Sequence, residues 1–239
     1  MVATFKVDAS AVIRALKNFR AERAPMVLAY AMTKTGQDIK AEEIALMRSV
    51  FDRPTRYTLN ALRLKPATKT DLQAVVDFKD FGGTPAWKYL GPNVEGGPRR
   101  NKSHELALQR AGILDQDEYC VPGRGVKLDA NGNMRGSLIS QILSQVKASS
   151  DPMQNQTERS TKRRARRGGA SYFVLRGNTA PDGIYYRKPG AKFITPIVMF
   201  VIPPRYRKVY PFYERARQAF NERLVPRAIE AWQRFGPKN

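Results

Sequence analysis

Apolar positions recur along this chain at two periods, one helical and one extended, and the two alternate in blocks. Over residues 10–23, Val12, Leu16 and Phe19 fall at i, i+4 and i+7 with Arg14, Lys17 and Arg20 between them, and Ser10 is a suitable N-cap. This predicts a short amphipathic helix. A second helix is expected from Pro25, a favoured first-turn residue, toward Val50. Leu28, Met32, Ile39, Leu46 and Val50 mark one face, and Pro54 stops it. The period then changes to two. "LRLK" at 62–65 alternates, and in "LQAVVDFK" at 72–79 Leu72, Ala74, Val76 and Phe78 share one face. The turn-rich link "PATKTD" between them predicts an antiparallel hairpin.

Residues 82–98, "GGTPAWKYLGPNVEGGP", hold five Gly and three Pro. They read as an irregular excursion, an extended arm or interface loop, on which Trp87, Tyr89 and Leu90 need a surface to pack against. That surface is either a neighbouring subunit or the chain's own domain. A short helix is expected near 102–111, ended by Gly112, and another over 137–148, where Leu138, Ile142 and Val146 lie four apart. Residues 121–136 are turn-rich. Residues 149–169 are polar, charged and nearly free of large apolar side chains, which predicts a flexible basic loop.

"SYFVLR", "GIYYRK" and "FITPIVMFVI" then read as three strands, with Pro196 placing the last at an edge or a bulge. A closing helix runs from Pro211, with Tyr213, Ala216, Phe220, Leu224 and Ala231 on one stripe and a kink expected at Pro226. Helices, hairpin, excursion, strands and a final helix are not βαβ alternation. The order predicts a single α+β domain over 1–239, with long N-terminal helices and a C-terminal helix packed on an antiparallel β-sheet and extended loop insertions.

Charge changes this picture more than any other property. Forty-two Lys and Arg stand against 21 Asp and Glu, a formal net charge of +21 on 239 residues. Repulsion of that size calls for a compensating polyanion or partner: nucleic acid, an acidic protein surface or an anionic membrane. Hydrophobic residues make up 42%, enough for a core. One cysteine, Cys120, rules out a disulfide within the chain and fits a reducing compartment. The first residues, MVATFKVDAS, lack the apolar segment of a secretory signal. The longest apolar run, Ile194–Ile202, is interrupted by Pro196 and is far short of the roughly 20 residues that span a bilayer. A soluble intracellular protein without membrane contact is expected.

Little in the chain suggests catalysis. His104 is the single histidine, so no Ser-His-Asp set and no zinc spacing can be assembled, and neither metal nor cofactor is expected. Cys120 reads as a small buried residue. "DANGN" at 129–133 begins like a calcium loop, but Met134 and Ser140 stand where that loop needs Gly and Glu, so it reads as a turn. "GRGVKL" at 123–128 lacks the third glycine of a dinucleotide fingerprint. Asp115, Asp117 and Glu118 could hold a cation or form a solvated surface, and the adjacent Glu42 and Glu43 cannot both face one site on a helix. The expectation is a protein that is not an enzyme.

Two basic stretches remain. "STKRRARRGG" at 160–169 puts Lys162, Arg163, Arg164, Arg166 and Arg167 into six positions. It is either a mobile solvated loop or a set of phosphate contacts that read no sequence. "PPRYRKVYPFYERARQ" at 203–218 interleaves aromatic and basic residues, which suits base stacking, but the aromatics also fit the inward stripe of the last helix, and that second reading is preferred.

Three stretches together, "FDRPTRYTLNALRLKPATKTDLQAVVDFKD" (51–80), "YLGPNVEGGPRR" (89–100) and "LDANGNMRGSLISQILSQVKA" (128–148), resemble the minor tail protein Z-type tail-completion proteins of tailed bacteriophages. "VYPFYERARQAF" (209–220) is similar to the aromatic start of the last helix in related neck and head–tail joining proteins. The resemblance covers most of the chain and is weakest across 149–170. It implies a virion structural protein at the head–tail junction or upper tail, present in the host cytoplasm during assembly, with no catalytic residues. It also implies an α+β subunit in a homo-oligomeric ring of six or twelve copies. The partners implied are portal or adaptor proteins, or tail-tube and tail-terminator proteins, with genomic DNA in the channel. The competing expectation is a non-virion protein that binds nucleic acid without sequence preference; no helix-turn-helix, zinc-finger or RNA-recognition pattern supports it.

Overall fold

The computed structural model describes residues 4–8, 23–177, 180–203 and 205–236. The helix expected over 10–23 lies outside the described residues, except for the turn residue Arg23. The chain is α+β, and its residues divide into two compact units, 1–97 with 206–239 and 98–205, where the sequence reading treats it as one domain.

In the first unit, β1 (Thr4–Asp8), β2 (Leu62–Lys65) and β3 (Gln73–Phe78) form an antiparallel sheet in the order β1-β3-β2. The expected hairpin is present, with Leu62 opposite Phe78 and Leu64 opposite Val76. The strand β1 was not foreseen; it pairs with β3 from Thr4 opposite Asp77 to Asp8 opposite Gln73. Helix α1 (Ala24–Val50) lies on this sheet. Gly36 allows that approach, since a Cβ there would stand 2.7 Å from Leu64 Cδ1.

A short helix α2 (Arg56–Leu59), capped by the Thr55 side chain, precedes β2. The last helix of the chain, α7 (Phe212–Phe235), packs on α1 and runs through Pro226. Glu42 pairs with Arg223, Asp38 with Arg227, and Tyr30 with Glu230, so the two helices are antiparallel.

The region 82–98 is not an irregular arm. It contains helix α3 (Trp87–Glu95), and Leu90 and Val94 are buried in the unit's own core. Phe78 is the hub of that core: its ring centroid lies 4.9 Å from Phe212 and 5.5 Å from Trp87. Apolar area removed from water, at about 25 cal/mol per Å², accounts for a helix forming despite Gly91 and Pro92.

The second unit carries α4 (Ser103–Arg110), β4 (Tyr119–Pro122), α5 (Gly136–Gln145), a 3₁₀ turn at Pro152–Gln154, α6 (Glu158–Arg166), β5 (Ser171–Leu175), β6 (Gly183–Arg187) and β7 (Thr195–Val201). Its strands form an antiparallel sheet in the order β4-β7-β6-β5. The three strands expected after 170 are present, and β4 is an addition. β7 is an inner strand. Pro196 is tolerated because the register with β6 shifts there, Ile184 facing Val198 and Tyr185 facing Pro196. Ile142 on α5 and Leu108 on α4 bury against Ile184, Val198 and Phe200. The flexible loop expected over 149–169 is instead the 3₁₀ turn followed by α6.

Candidate functional site

Helix α6 forms for local reasons. The Thr157 hydroxyl accepts from the Ser160 N–H at 3.2 Å and caps the N-terminus, where Glu158 complements the helix dipole. Ala, Arg and Lys have high helix propensity, and the cations of the last turn sit at the negative end. Gly168, with φ +70°, ends it. At 3.6 residues per turn, Arg159, Lys162, Arg163 and Arg166 fall on one face, and Arg167 follows at the C-cap. These five side chains are exposed and make no hydrogen bond or ion pair among the described residues. The first four span about 10 Å of axis.

Arg164 separates from the other four residues of the predicted set. It turns to the opposite face, half-buried, and its Nη1 donates to Gln156 Oε1 at 2.6 Å. Arg159, which sequence reasoning missed, replaces it in the stripe; the helical period identifies it once 157–166 is read as a capped helix rather than a loop.

The unpaired state of the stripe contrasts with other arginines of the chain. Arg63 holds Asp77 through two nitrogens at 2.7 and 2.9 Å. Arg176 holds Glu118 at 2.8 and 2.6 Å and lies 3.7 Å from Asp115, so two members of the acidic cluster face an arginine. The aromatic-basic stretch 203–218 follows the inward reading. Tyr210 and Phe212 are fully buried, while Arg205, Arg207, Arg215 and Arg217 are exposed.

His104, Glu105 and Cys120 bring one potential metal-ligand atom each within 4.8 Å of one another. Both Glu105 oxygens are already taken. Arg99 Nη1 and Nη2 donate at 2.7 and 2.5 Å, and the N–H groups of Lys102 and Cys120 at 2.6 and 2.8 Å. Burial pushes the Cys120 thiol up to about 12 and lowers His104. Each Glu105 oxygen thus accepts two hydrogen bonds, and the cluster ties α4 to β4. Asp129 Oδ1 accepts from the N–H groups of Asn131 and Asn133, so "DANGN" is a side-chain-stabilised turn.

The interface anchors expected on 82–98 pack against the core of their own unit, Trp87 and Tyr89 remaining partly exposed. Leu90 is 2% exposed, Trp87 packs on Phe78, and Tyr89 lies with its ring 5.9 Å from Tyr57. Large apolar exposure is found elsewhere: Met153 (94%), Ile202 (83%) and Phe193 (80%) in the second unit, Val225 (61%) and Ile229 (54%) on α7. No helix of the described residues is long and apolar enough to cross a membrane. Comparison with protein-family models, curated proteins and solved structures finds no match.

Proposed function

We propose that this chain is a structural protein of a tailed-phage virion, placed at the head–tail junction or upper tail in a ring around the DNA channel. The observation that carries the reading is the stripe Arg159, Lys162, Arg163 and Arg166. Four unpaired cations on one helix face suit a polyanion contacted through its phosphates, without base reading. The resemblance of 51–80, 89–100 and 128–148 to tail-completion proteins supplies the setting. Ring closure requires head-to-tail contacts between unlike surfaces, and exposed Phe193, Ile202 and Met153 offer apolar material for them.

Quantitative mass spectrometry of purified virions tests this. A count of six or twelve copies per particle is expected; a count near zero overturns it. The stripe alone also favours a second reading, a non-virion nucleic-acid-binding protein, which predicts salt-sensitive DNA binding by a chain missing from the particle.

A further inference from the structure

Between α5 and α6 lies an open groove of about 350 Å³, lined by eight residues of which none is acidic and one, Arg164, is cationic. Of its five amide side chains, Gln154 donates its Nε2 to Asp151 Oδ2 at 3.3 Å, and three are oriented by bonds on their oxygen side. Gln145 Oε1 accepts from the Tyr172 N–H at 2.9 Å. Asn155 Oδ1 accepts from the Ser149 N–H at 3.0 Å. Gln156 Oε1 accepts from Arg164 Nη1 at 2.6 Å. A backbone N–H or a guanidinium can only donate, so all three oxygens are fixed as acceptors, and the amide orientation follows from the network. Each NH2 group is then left without a protein partner among the described residues. Among the groove's donors, the Arg164 Nε is the one that is buried as well as unpartnered. An unmet buried donor costs free energy that an acceptor from outside would recover.

The groove therefore gathers three amide donors and a positive charge with no carboxylate in its lining, on the face of α6 turned away from the exposed stripe. We infer that it is a binding site for a phosphate group, held by Arg164 and the carboxamide NH2 groups of Gln145, Asn155 and Gln156. Three amides and a guanidinium, spread over α5, the link residues 155–156 and α6, suit the several oxygens of a phosphate better than the two coplanar oxygens of a carboxylate. The phosphate is either free or esterified in a nucleic-acid backbone. The inference stands independently of the virion role.

Titration calorimetry of the full chain with inorganic phosphate at fixed ionic strength tests it. One saturable site is expected. Gln145→Glu and Asn155→Asp keep the oxygens that accept from Tyr172 and Ser149, so the fold is retained, but each replaces a donor with a charged acceptor. Each should weaken phosphate binding at least about tenfold. Replacing Arg159, Lys162, Arg163 and Arg166 together by Gln should leave it within about threefold. Competition with a short DNA duplex separates the two sources. If saturating phosphate displaces part of the DNA affinity of the wild type but not of Gln145→Glu, the group is a backbone phosphate; if DNA binding is unaffected, it is free phosphate. Absence of saturation up to about 10 mM phosphate overturns the inference. So does phosphate binding that survives in both acidic variants or disappears in the stripe variant.

Discussion

Arg99 and Glu105 form a two-bond ion pair in which the Glu105 side chain is wholly buried and Arg99 nearly so. Two backbone N–H groups complete the carboxylate's shell, and the Arg99 guanidinium also lies 4.2 Å from the centre of the Tyr119 ring. The pair joins the start of α4 to β4. Deleting one member of such a pair leaves the other charge buried and uncompensated, at a cost of about 3–5 kcal/mol.

Glu105→Ala should therefore destabilise the second unit by that amount. Cys120 is the single cysteine of the chain, is buried and belongs to this unit, so its thiol reports unit-2 opening. Thiol labelling across a urea gradient should show the midpoint falling sharply in the variant. A loss under about 1 kcal/mol would show that the pair is not an anchor.

Glu43 titrates in the opposite sense. Burial pushes its pKa up to about 7, with the nearby Tyr210 hydroxyl and Arg215 pulling part of the way back and Glu42 adding to the rise. The Glu43 Oε2 and the Tyr210 hydroxyl are buried and make no well-formed hydrogen bond, so the hydroxyl offsets only part of the effect of burial. The folded state keeps a proton that the unfolded chain releases above about 4.5. Stability of the first unit should accordingly rise as pH falls from 7 toward 4.5 and level off above 7, by up to about 3 kcal/mol. Both tryptophans, Trp87 and Trp232, lie in that unit, so tryptophan fluorescence in urea reads it directly. Glu43→Gln should abolish the slope and raise stability at pH 8. A variant as pH-dependent as the wild type would refute the assignment.

For Glu105, burial favours the neutral acid, yet Arg99 and the two N–H groups outweigh it and hold the pKa below its usual value. Its contribution is complete above about 4.5 and is lost as pH falls through the lowered folded value. The two carboxylates thus act with opposite signs in successive pH windows, Glu43 stabilising its unit between 7 and 4.5 and Glu105 weakening its own only below about 4.5, which the two probes can separate in one experiment.

These two carboxylates also mark what the sequence could and could not convey. The hairpin of β2 and β3 was legible because Leu62, Leu64, Val76 and Phe78 alternate on one buried face. Helices α1, α5 and α7 were legible from their apolar spacing. Glu43, beside Glu42 on a helix, gave no sign that one would be fully buried, since that depends on Tyr210 arriving 167 residues later. Helix α3 was obscured by its Gly and Pro content, and it ends at Gly96, whose φ of +82° only glycine adopts readily. Helix α6 was missed for a different reason. An absence of large apolar residues argues against a packed core, but a helix also forms from a Thr157 cap, strong helix formers and a terminating glycine. The groove beneath it was not legible, because it depends on Gln145, Asn155 and Gln156 meeting partners from other segments.

The stripe on α6 carries the most direct consequence for DNA. Each phosphate neutralised by a cation releases counterions, so the slope of log K against log salt is about −0.9 per contact on duplex DNA. If Arg159, Lys162, Arg163 and Arg166 each engage a phosphate, replacing all four by Gln should reduce the magnitude of the slope by about 3–4, with equal effect on unrelated sequences. Arg217→Gln, an exposed cation on α7 in the other unit, is the matched control. Removing one such charge there should leave the slope within about one contact. The measurement is fluorescence anisotropy of a labelled duplex over a salt series. Like charges at i and i+4, Arg159 with Arg163 and Lys162 with Arg166, weaken the bare helix by a few tenths of a kcal/mol each. Relief of these repulsions opposes the loss of last-turn cations at the negative end of the helix, so the quadruple variant should fold about as well as the wild type. A salt slope unchanged in that well-folded variant would remove α6 from the DNA-contacting surface and leave the +21 charge to be balanced by an acidic protein neighbour.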